Sequence, residues 1–326
     1  MTKLTVNIET WPLATAFNIS RGAKTQARVV VAQLRDGDHV GYGECVPYAR
    51  YGETIEGVAE LLRSLAPDVA KGLTRAELQL LIPPGAARNA LDCAFWDLEA
   101  KRADKRVWEL AKCPPPEPIT TAFSLSLDTP EKMGHAASKA ANRPLLKIKL
   151  GGDGNDERLA AIRAAAPDAT LIVDANEGWT PETLLQQTDC MAHHRVALIE
   201  QPLPAGQDEI LRKFKSPVPI CADESCHGIA SLAPLLGLYD AVNIKLDKTG
   251  GLTEALATAR AARDMGFSIM VGCMIGTSLG MAPAMYIAAP GDIVDLDGPL
   301  WLKSDRSPPI DYQGSVMMPP SAEVWG

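Results

Sequence analysis

Residues 145–152 read LLKIKLGG, an apolar run that carries Lys147 and Lys149 two positions apart. Strand side chains alternate between faces, so both ammonium groups enter the same space. Two like charges among residues that read as buried are unfavourable unless negative charge lies nearby. The neighbouring runs supply that charge. Short β-rich stretches recur at ITTAFSLSL (119–127), LLKIKL (145–150), TLIVDAN (170–176) and VALIEQP (196–202). Four more follow at VPICADE (218–224), AVNIKLDK (241–248), SIMVGC (268–273) and DIVDLDG (292–298). Seven helix-like stretches separate them, among them DERLAAIRAAA and LTEALATARAARDMG. Strands alternating with helices predict a parallel α/β sheet, and eight strands at this spacing predict a closed (β/α)7β barrel of the TIM type. An open doubly wound sheet is the alternative. Its Gly-rich nucleotide fingerprint is missing, since GGDGND after the second run does not match it.

Upstream the pattern changes. Residues 1–40 alternate as antiparallel strands, and RVVVAQLRDGDHVGYGE, with its DG turn, reads as a hairpin. From about 54 to 112 the apolar spacing is helical, as in TIEGVAELLRSLA and ARNALDCAFWDLEAKRA. CPPPEP at 113–118 is the clearest breaker in the chain. The expected division is an α+β domain over 1–115 and a barrel over 116–303. The Pro-rich tail, 304–326, returns to the first domain.

Composition narrows the function classes. The 326 residues, 46% hydrophobic and 22% charged, suit a folded chain with a sizeable core. A formal charge of −8 without a basic cluster argues against nucleic acid as a partner. MTKLTVNIETWPL holds no apolar signal core, and nowhere do about 18 apolar residues run together, so no leader or membrane span is expected. The seven cysteines lack CxxC pairing and read as reduced packing residues of a cytoplasmic protein.

Active-site residues of a parallel barrel sit at the C-terminal ends of its strands. Such ends here carry Lys147 and Lys149, Asp174, Glu200, Asp223, Lys245, and Asp295 with Asp297. Successive members from Lys149 to Lys245 lie 25, 26, 23 and 22 residues apart, about one βα unit each. One such carboxylate alone reads as a helix N-cap or a solvated loop residue; the series carries the argument. Three carboxylates converging at the barrel mouth need a counterion, and all-oxygen ligands with room for substrate suit Mg²⁺. No His or Cys set fits zinc, with His193 and His194 expected to be exposed on a helix and His227 in a loop. Lysines flanking the metal could remove a proton from one face of a substrate and return it to the other. That role needs a lysine pKa lowered towards neutrality. A neighbouring ammonium and Mg²⁺ push it down, and the carboxylates partly oppose them.

KIK (147–149), VDAN (173–176), IEQP (199–202), ADES (222–225) and NIKLDKTGG (243–251) resemble the enolase superfamily, in its muconate-lactonizing-enzyme-like subgroup. The resemblance covers nearly the whole chain. It implies a capping domain over the barrel, with one Mg²⁺ on Asp174, Glu200 and Asp223. It also implies Lys149 and Lys245 as acid/base catalysts and Lys147 on the substrate carboxylate. Mandelate-racemase-like members use a His on the seventh strand; VGCMIGT has none, so sugar-acid dehydration is not expected. Cycloisomerisation, o-succinylbenzoate synthesis and epimerisation remain. In DIVDLDGP, Asp295 and Asp297 are expected to share one face of the eighth strand, where a substrate ammonium would pair with them. This DxD is similar to that of the dipeptide epimerases, which implies interconversion of L-Ala-L-Glu and L-Ala-D-Glu in murein peptide metabolism.

The alternatives are an o-succinylbenzoate synthase or a dipeptide epimerase of other side-chain specificity. Rivals of another class are a Schiff-base aldolase and an inert metal- or peptide-binding barrel. The resemblance places NISRGAKT over the mouth, where Arg21 would bind an acidic side chain. It also sets Ser124, Cys273, Met274 and Ile275 against the substrate. Gly276 stands where some relatives carry an acidic residue. A homo-oligomer is compatible with the sequence.

Overall fold

Three strands open the chain, and their alternation explains how they pack. β1 (Lys3–Ile19) pairs antiparallel with β2 (Gly22–Asp36), which pairs with β3 (His39–Cys45) across the expected DG turn. In RVVVAQL, Val30, Ala32 and Leu34 join a core cluster with Ala90, Leu91, Ala94 and Leu98 of the helix Ala86–Ala103. Val29 and Val31 point the other way, into the larger core that continues into the barrel. One strand thus serves two cores, as a period of two allows. The same computed structural model describes residues 1–19 and 22–326.

β3 lies directly against that helix. A Cβ on Gly43 would stand 2.1 Å from the carbonyl oxygen of Ala90, and one on Gly41 would stand 2.3 Å from that of Ala94. Only glycine permits so close a backbone approach.

The short β4 (Ile119–Thr120) precedes the barrel strands β5 (Phe123–Leu125), β6 (Leu145–Lys149), β7 (Thr170–Asp174), β8 (Val196–Glu200), β9 (Ile220–Ala222), β10 (Ala241–Ile244), β11 (Ser268–Gly272) and β12 (Ile293–Asp295). These eight form a parallel sheet in chain order. Its edges meet where the Ala122 amide donates to the Val294 carbonyl at 2.8 Å. The interior is layered. Ala122, Ile172, Leu198, Cys221, Ala241 and Met270 form a small apolar plug. Two residues further along the chain, Asp174, Glu200, Asp223 and Asn243 occupy the next layer, followed by Lys245 just past β10. Residues between them, such as Ile148, Val173, Ile199 and Val242, face the outer core.

Two expectations change. ITTAFSLSL is not one strand: β4 pairs with the tail hairpin β13 (Tyr312–Gln313) and β14 (Val316–Met317), while only β5 enters the barrel. The Thr121 amide turns aside to the Ser315 carbonyl at 2.8 Å, so the two halves pair with different partners. The connections are also not seven full helices. After β8 there is only a 3-10 segment, Glu209–Lys213, and after β11 only Ser278–Met281 followed by 3-10 residues Ala282–Tyr286. Prolines at 202, 204, 217, 219 and 283 punctuate these stretches and deny the backbone donors a longer helix needs. The tail ends on buried Trp325, whose Nε1 donates to the carbonyls of Tyr42 (2.9 Å) and Cys93 (3.2 Å).

Gly43→Ala should lower stability by about 1–3 kcal/mol or more, since a methyl meets helix backbone rather than a movable side chain. The urea unfolding midpoint checks it, and a midpoint within error of wild type would contradict the backbone contact.

Candidate active site

Register places the charged layer. Lys149 lies opposite Asp174 on the neighbouring strand, and Asp174 opposite Glu200. Each carboxylate then divides its two oxygens between scaffold and lysine. Asp174 Oδ1 accepts from the Asn176 amide (2.9 Å), Glu200 Oε1 from Asn243 Nδ2 (2.7 Å), and Asp223 Oδ1 from Lys248 Nζ (2.6 Å). The other oxygens meet ammonium groups. Lys149 Nζ is 2.6 Å from Asp174 Oδ2, Lys147 Nζ is 2.6 Å from Glu200 Oε2, and Lys245 Nζ is 2.6 Å from Asp223 Oδ2. Lys147 also donates to Asp295 Oδ2 at 2.7 Å.

All of these side chains are buried, so mutual attraction is weakly screened. Burial alone would raise Asp174, but Lys149 and Lys147 overcome it and hold the carboxyl down at about 2. Burial likewise works against the charged form of Asp223, and Lys245 with Lys248 outweighs it, leaving the group well below the usual range. Glu200 is raised by burial and by Asp174 beside it, against the pull of Lys147. For the lysines the balance differs from expectation. Burial lowers Lys147 and Lys245, yet the carboxylates around each hold it well above the ordinary lysine value. Opposite charges in contact outweigh burial here.

The donor set fits a hard cation in its chemistry. Three carboxylates from adjacent strands each keep one oxygen anchored, and Glu200 Oε2, although close to Lys147, lies out of line for a hydrogen bond. The three do not converge to within 4.8 Å of one another, because each free oxygen is drawn to its own lysine.

A cavity of about 490 Å³ lies above this layer. Lys147, Lys149, Asp223, Lys245, Ser124, Cys273, Met274, Ile275, Asp295 and Asp297 line it. Asp174 and Glu200 are fully buried and do not line it; they reach it through the lysines they touch. Arg21 lies outside the described residues, while Ile19 and Gly22, both described, line the cavity.

Asp295 and Asp297 do not share a strand face as expected. β12 ends at Asp295, and Asp297 begins the 3-10 segment Gly298–Trp301. The bend still brings both carboxylates to the cavity. Asp297 Oδ2 accepts from the Ser124 amide (2.7 Å) and Trp301 Nε1 (3.1 Å), whereas Asp295 Oδ1 is buried without a hydrogen-bond partner. Gly276 is not part of the cavity wall. A Cβ there would meet Glu44 Oε1 at 2.8 Å, the carboxylate oxygen that accepts from the Thr277 amide at 2.7 Å. His194 is buried at the end of the helix Leu184–His193 rather than exposed; His193 is exposed.

Sequence reasoning overlooked Asn243 and Lys248, which anchor Glu200 and Asp223. Asn243 had a signal, since it precedes Lys245 by two in a strand and must share its face. Lys248 had none, because it reaches back from the turn beyond β10. Phe17 and Trp301, edge-to-face at 4.6 Å, also wall the cavity unannounced.

Residues 1–111 match the family model for the mandelate racemase / muconate lactonizing enzyme N-terminal domain, and residues 132–320 match the enolase C-terminal domain-like model. The chain belongs to the mandelate racemase/muconate lactonizing enzyme family. Within that family it is 50% identical to an L-Ala-D/L-Glu epimerase of Escherichia coli, over 93% of this chain and 95% of that one. It is 45% identical to an N-acetyl-D-glutamate racemase of Pseudoalteromonas, over 91% and 95%. A solved Agrobacterium tumefaciens enolase family member with homology to dipeptide epimerases, with bound sodium and L-Ala-L-Glu, is 52% identical over the whole of both chains, with a TM-score of 0.98. No helix among the described residues is long and apolar enough to cross a membrane.

Asp297 gives a pH test. Burial first, and then Asp295, pushes its carboxyl up to about 6, above the value near 3.9 of an unfolded chain. Its contribution to stability is therefore full below about pH 4 and is lost as pH rises through about 6. Asp297→Asn removes that titration. The stability of the variant relative to wild type should rise by on the order of 2 kcal/mol between pH 4 and pH 8 in urea titrations; a difference independent of pH would contradict the raised carboxyl.

Proposed function

We propose that this chain epimerises a dipeptide at the Cα of its C-terminal residue, interconverting L-Ala-L-Glu and L-Ala-D-Glu in cytoplasmic murein peptide metabolism. One observation carries the reading. Lys149 on β6 and Lys245, just beyond β10, bracket the carboxylate-bearing strands β7, β8 and β9, and both line one cavity. Amines from opposite sides can address opposite faces of one carbon, as inversion requires.

Asp174, Glu200 and Asp223 would hold one Mg²⁺, all-oxygen donors being suited to a hard ion. When bound, the ion supplies positive charge against the second negative charge that develops on the substrate carboxylate as the Cα proton leaves. Lys147, buried beside Glu200 and Asp295, offers an ammonium to the same carboxylate. With the charge of Asp174, Glu200 and Asp223 taken up by the ion, the hold of those carboxylates on the Lys245 proton would relax. One of Lys149 and Lys245 then accepts the Cα proton on one face, and the other delivers a proton to the opposite face. Reversal exchanges the roles. Asn243 and Lys248 keep the outer oxygens of Glu200 and Asp223 in place while this happens.

The far end of the dipeptide meets Asp295. Its Oδ1 is a buried acceptor without a partner, which suits a free α-ammonium. An o-succinylbenzoate precursor has no such group. The N-acetyl-D-glutamate racemase among the relatives favours a second reading, racemisation of an N-acylated glutamate. Both substrates carry an amide on the glutamate nitrogen, but only the dipeptide has an ammonium beyond it, so the two readings separate at Asp295.

Lys149→Ala and Lys245→Ala should each reduce epimerisation by on the order of 10²–10⁴-fold or more. Each variant should still exchange the Cα hydrogen with D2O from one stereoisomer only, and opposite isomers for the two variants. Exchange from the same isomer in both would defeat the opposed-face mechanism. EDTA should abolish turnover and Mg²⁺ restore it.

Asp295→Asn should raise KM for L-Ala-L-Glu by roughly 10–100-fold, as expected for loss of a charged hydrogen bond worth about 1.5–3 kcal/mol. Equal kcat/KM on N-acetylglutamate and the dipeptide in wild type, with no change in the variant, would favour the acylated substrate.

A further inference from the structure

A second cluster of ligating side chains stands on the outer face of the barrel. The helix Asn155–Ala165 follows β6, and the helix Leu184–His193 follows β7. Cys190 and His194 are four residues apart, so they share one face at the end of their helix. Asp156 approaches from the first turn of the neighbouring helix. Its Oδ1 lies 2.7 Å from His194 Nε2 and 3.7 Å from Cys190 Sγ. The ligand atoms of all three fall within 4.8 Å of one another, the one such set of His, Cys, Asp and Glu among the described residues.

The cluster is built rather than casual. His194 is buried, and its carbonyl accepts from Arg163 Nη2 (2.9 Å) and Nε (3.3 Å), which fixes the backbone that carries the imidazole. Cys190 is half-buried, and Asp156 is exposed, so one side of the cluster stays open to solvent. The proposed epimerisation uses none of these residues.

We propose that Asp156, Cys190 and His194 form a second metal site, taking one ion of the Zn²⁺ class on the outside of the barrel. A thiolate, an imidazole nitrogen and a carboxylate oxygen are a borderline-soft donor set, poor for Mg²⁺ and suited to Zn²⁺ or Co²⁺. Three protein ligands leave a fourth tetrahedral position for water or for His193, whose ring lies 4.9 Å from that of His194. Burial, and then Asp156, push the Cys190 thiol up to about 11. An ion that coordinates the sulfur displaces this proton. The sequence spacing concealed the set, because Asp156 is 34 residues from Cys190.

The test is Co²⁺ titration of the EDTA-stripped, reduced protein in saturating Mg²⁺, which occupies any hard-ion site first. One equivalent should bind with a thiolate-to-cobalt charge-transfer band and the intense visible bands of tetrahedral Co²⁺. Cys190→Ser should lose the charge-transfer band, and His194→Gln and Asp156→Asn should each weaken binding at least tenfold. Mg²⁺-supported turnover should be unchanged in all three, so the outcome is independent of which substrate the barrel accepts. No thiolate band in wild type, or the same band in Cys190→Ser, overturns the site. Alkylation of wild-type Cys190, followed by mass spectrometry, tests it without any variant. Zn²⁺ but not Mg²⁺ should slow the reaction, and equal rates overturn the proposal.

Discussion

Four ammonium groups (Lys147, Lys149, Lys245, Lys248) and four carboxylates (Asp174, Glu200, Asp223, Asp295) share one buried layer. Contact between opposite charges offsets the cost of burying them. Removing each ion from water costs several kcal/mol even after relaxation, and leaving one without its partner typically costs about 3–5 kcal/mol. The layer therefore stands as a network. Asp174, Glu200 and Asp223 are each tied by one oxygen to Asn176, Asn243 or Lys248 and leave the second oxygen to a lysine in or near the cavity wall. The same arrangement that makes the layer tolerable in the fold also presents amines on both sides of an acidic centre.

The apolar plug beneath makes this layer possible. Ala122, Ile172, Leu198, Cys221, Ala241 and Met270 close the lower end of the barrel. Charges one layer up then meet side chains and cavity rather than bulk water from both ends. The N-terminal sheet closes the other side. Glu44 on β3 accepts from the Thr277 amide (2.7 Å) and from Arg306 (2.7 Å), which fixes β3 against the segment that follows Cys273, Met274 and Ile275. The glycine contacts of β3 with the helix Ala86–Ala103 set how closely that sheet can approach. Fold and site are thus linked through one strand.

Much of the site was legible because a parallel barrel repeats one local rule. A strand whose last inward residue is charged announces its contribution without any knowledge of its neighbours, as with Asp174, Glu200 and Lys245. Asp297 was misread because the rule ends where the strand ends. A bend after Asp295, with Pro299 in the 3-10 segment that follows, turns the backbone, and alternation no longer describes the side chain. ITTAFSLSL failed for a related reason, since its β-propensity is uniform but its two halves find hydrogen-bond partners in different sheets.

By itself the sequence determined the order of strands, the face on which Lys147 and Lys149 lie, and the acidic series between Lys149 and Lys245, because a period of two is a property of the local backbone. Only the tertiary structure decided which oxygen meets which ammonium group, and that carboxylates from neighbouring strands hold Lys147 and Lys245 above the ordinary lysine value. It alone brought Asp156 to Cys190 and His194 across two helices. These outcomes depend on distances between segments far apart in the chain, which packing sets and local pattern does not encode.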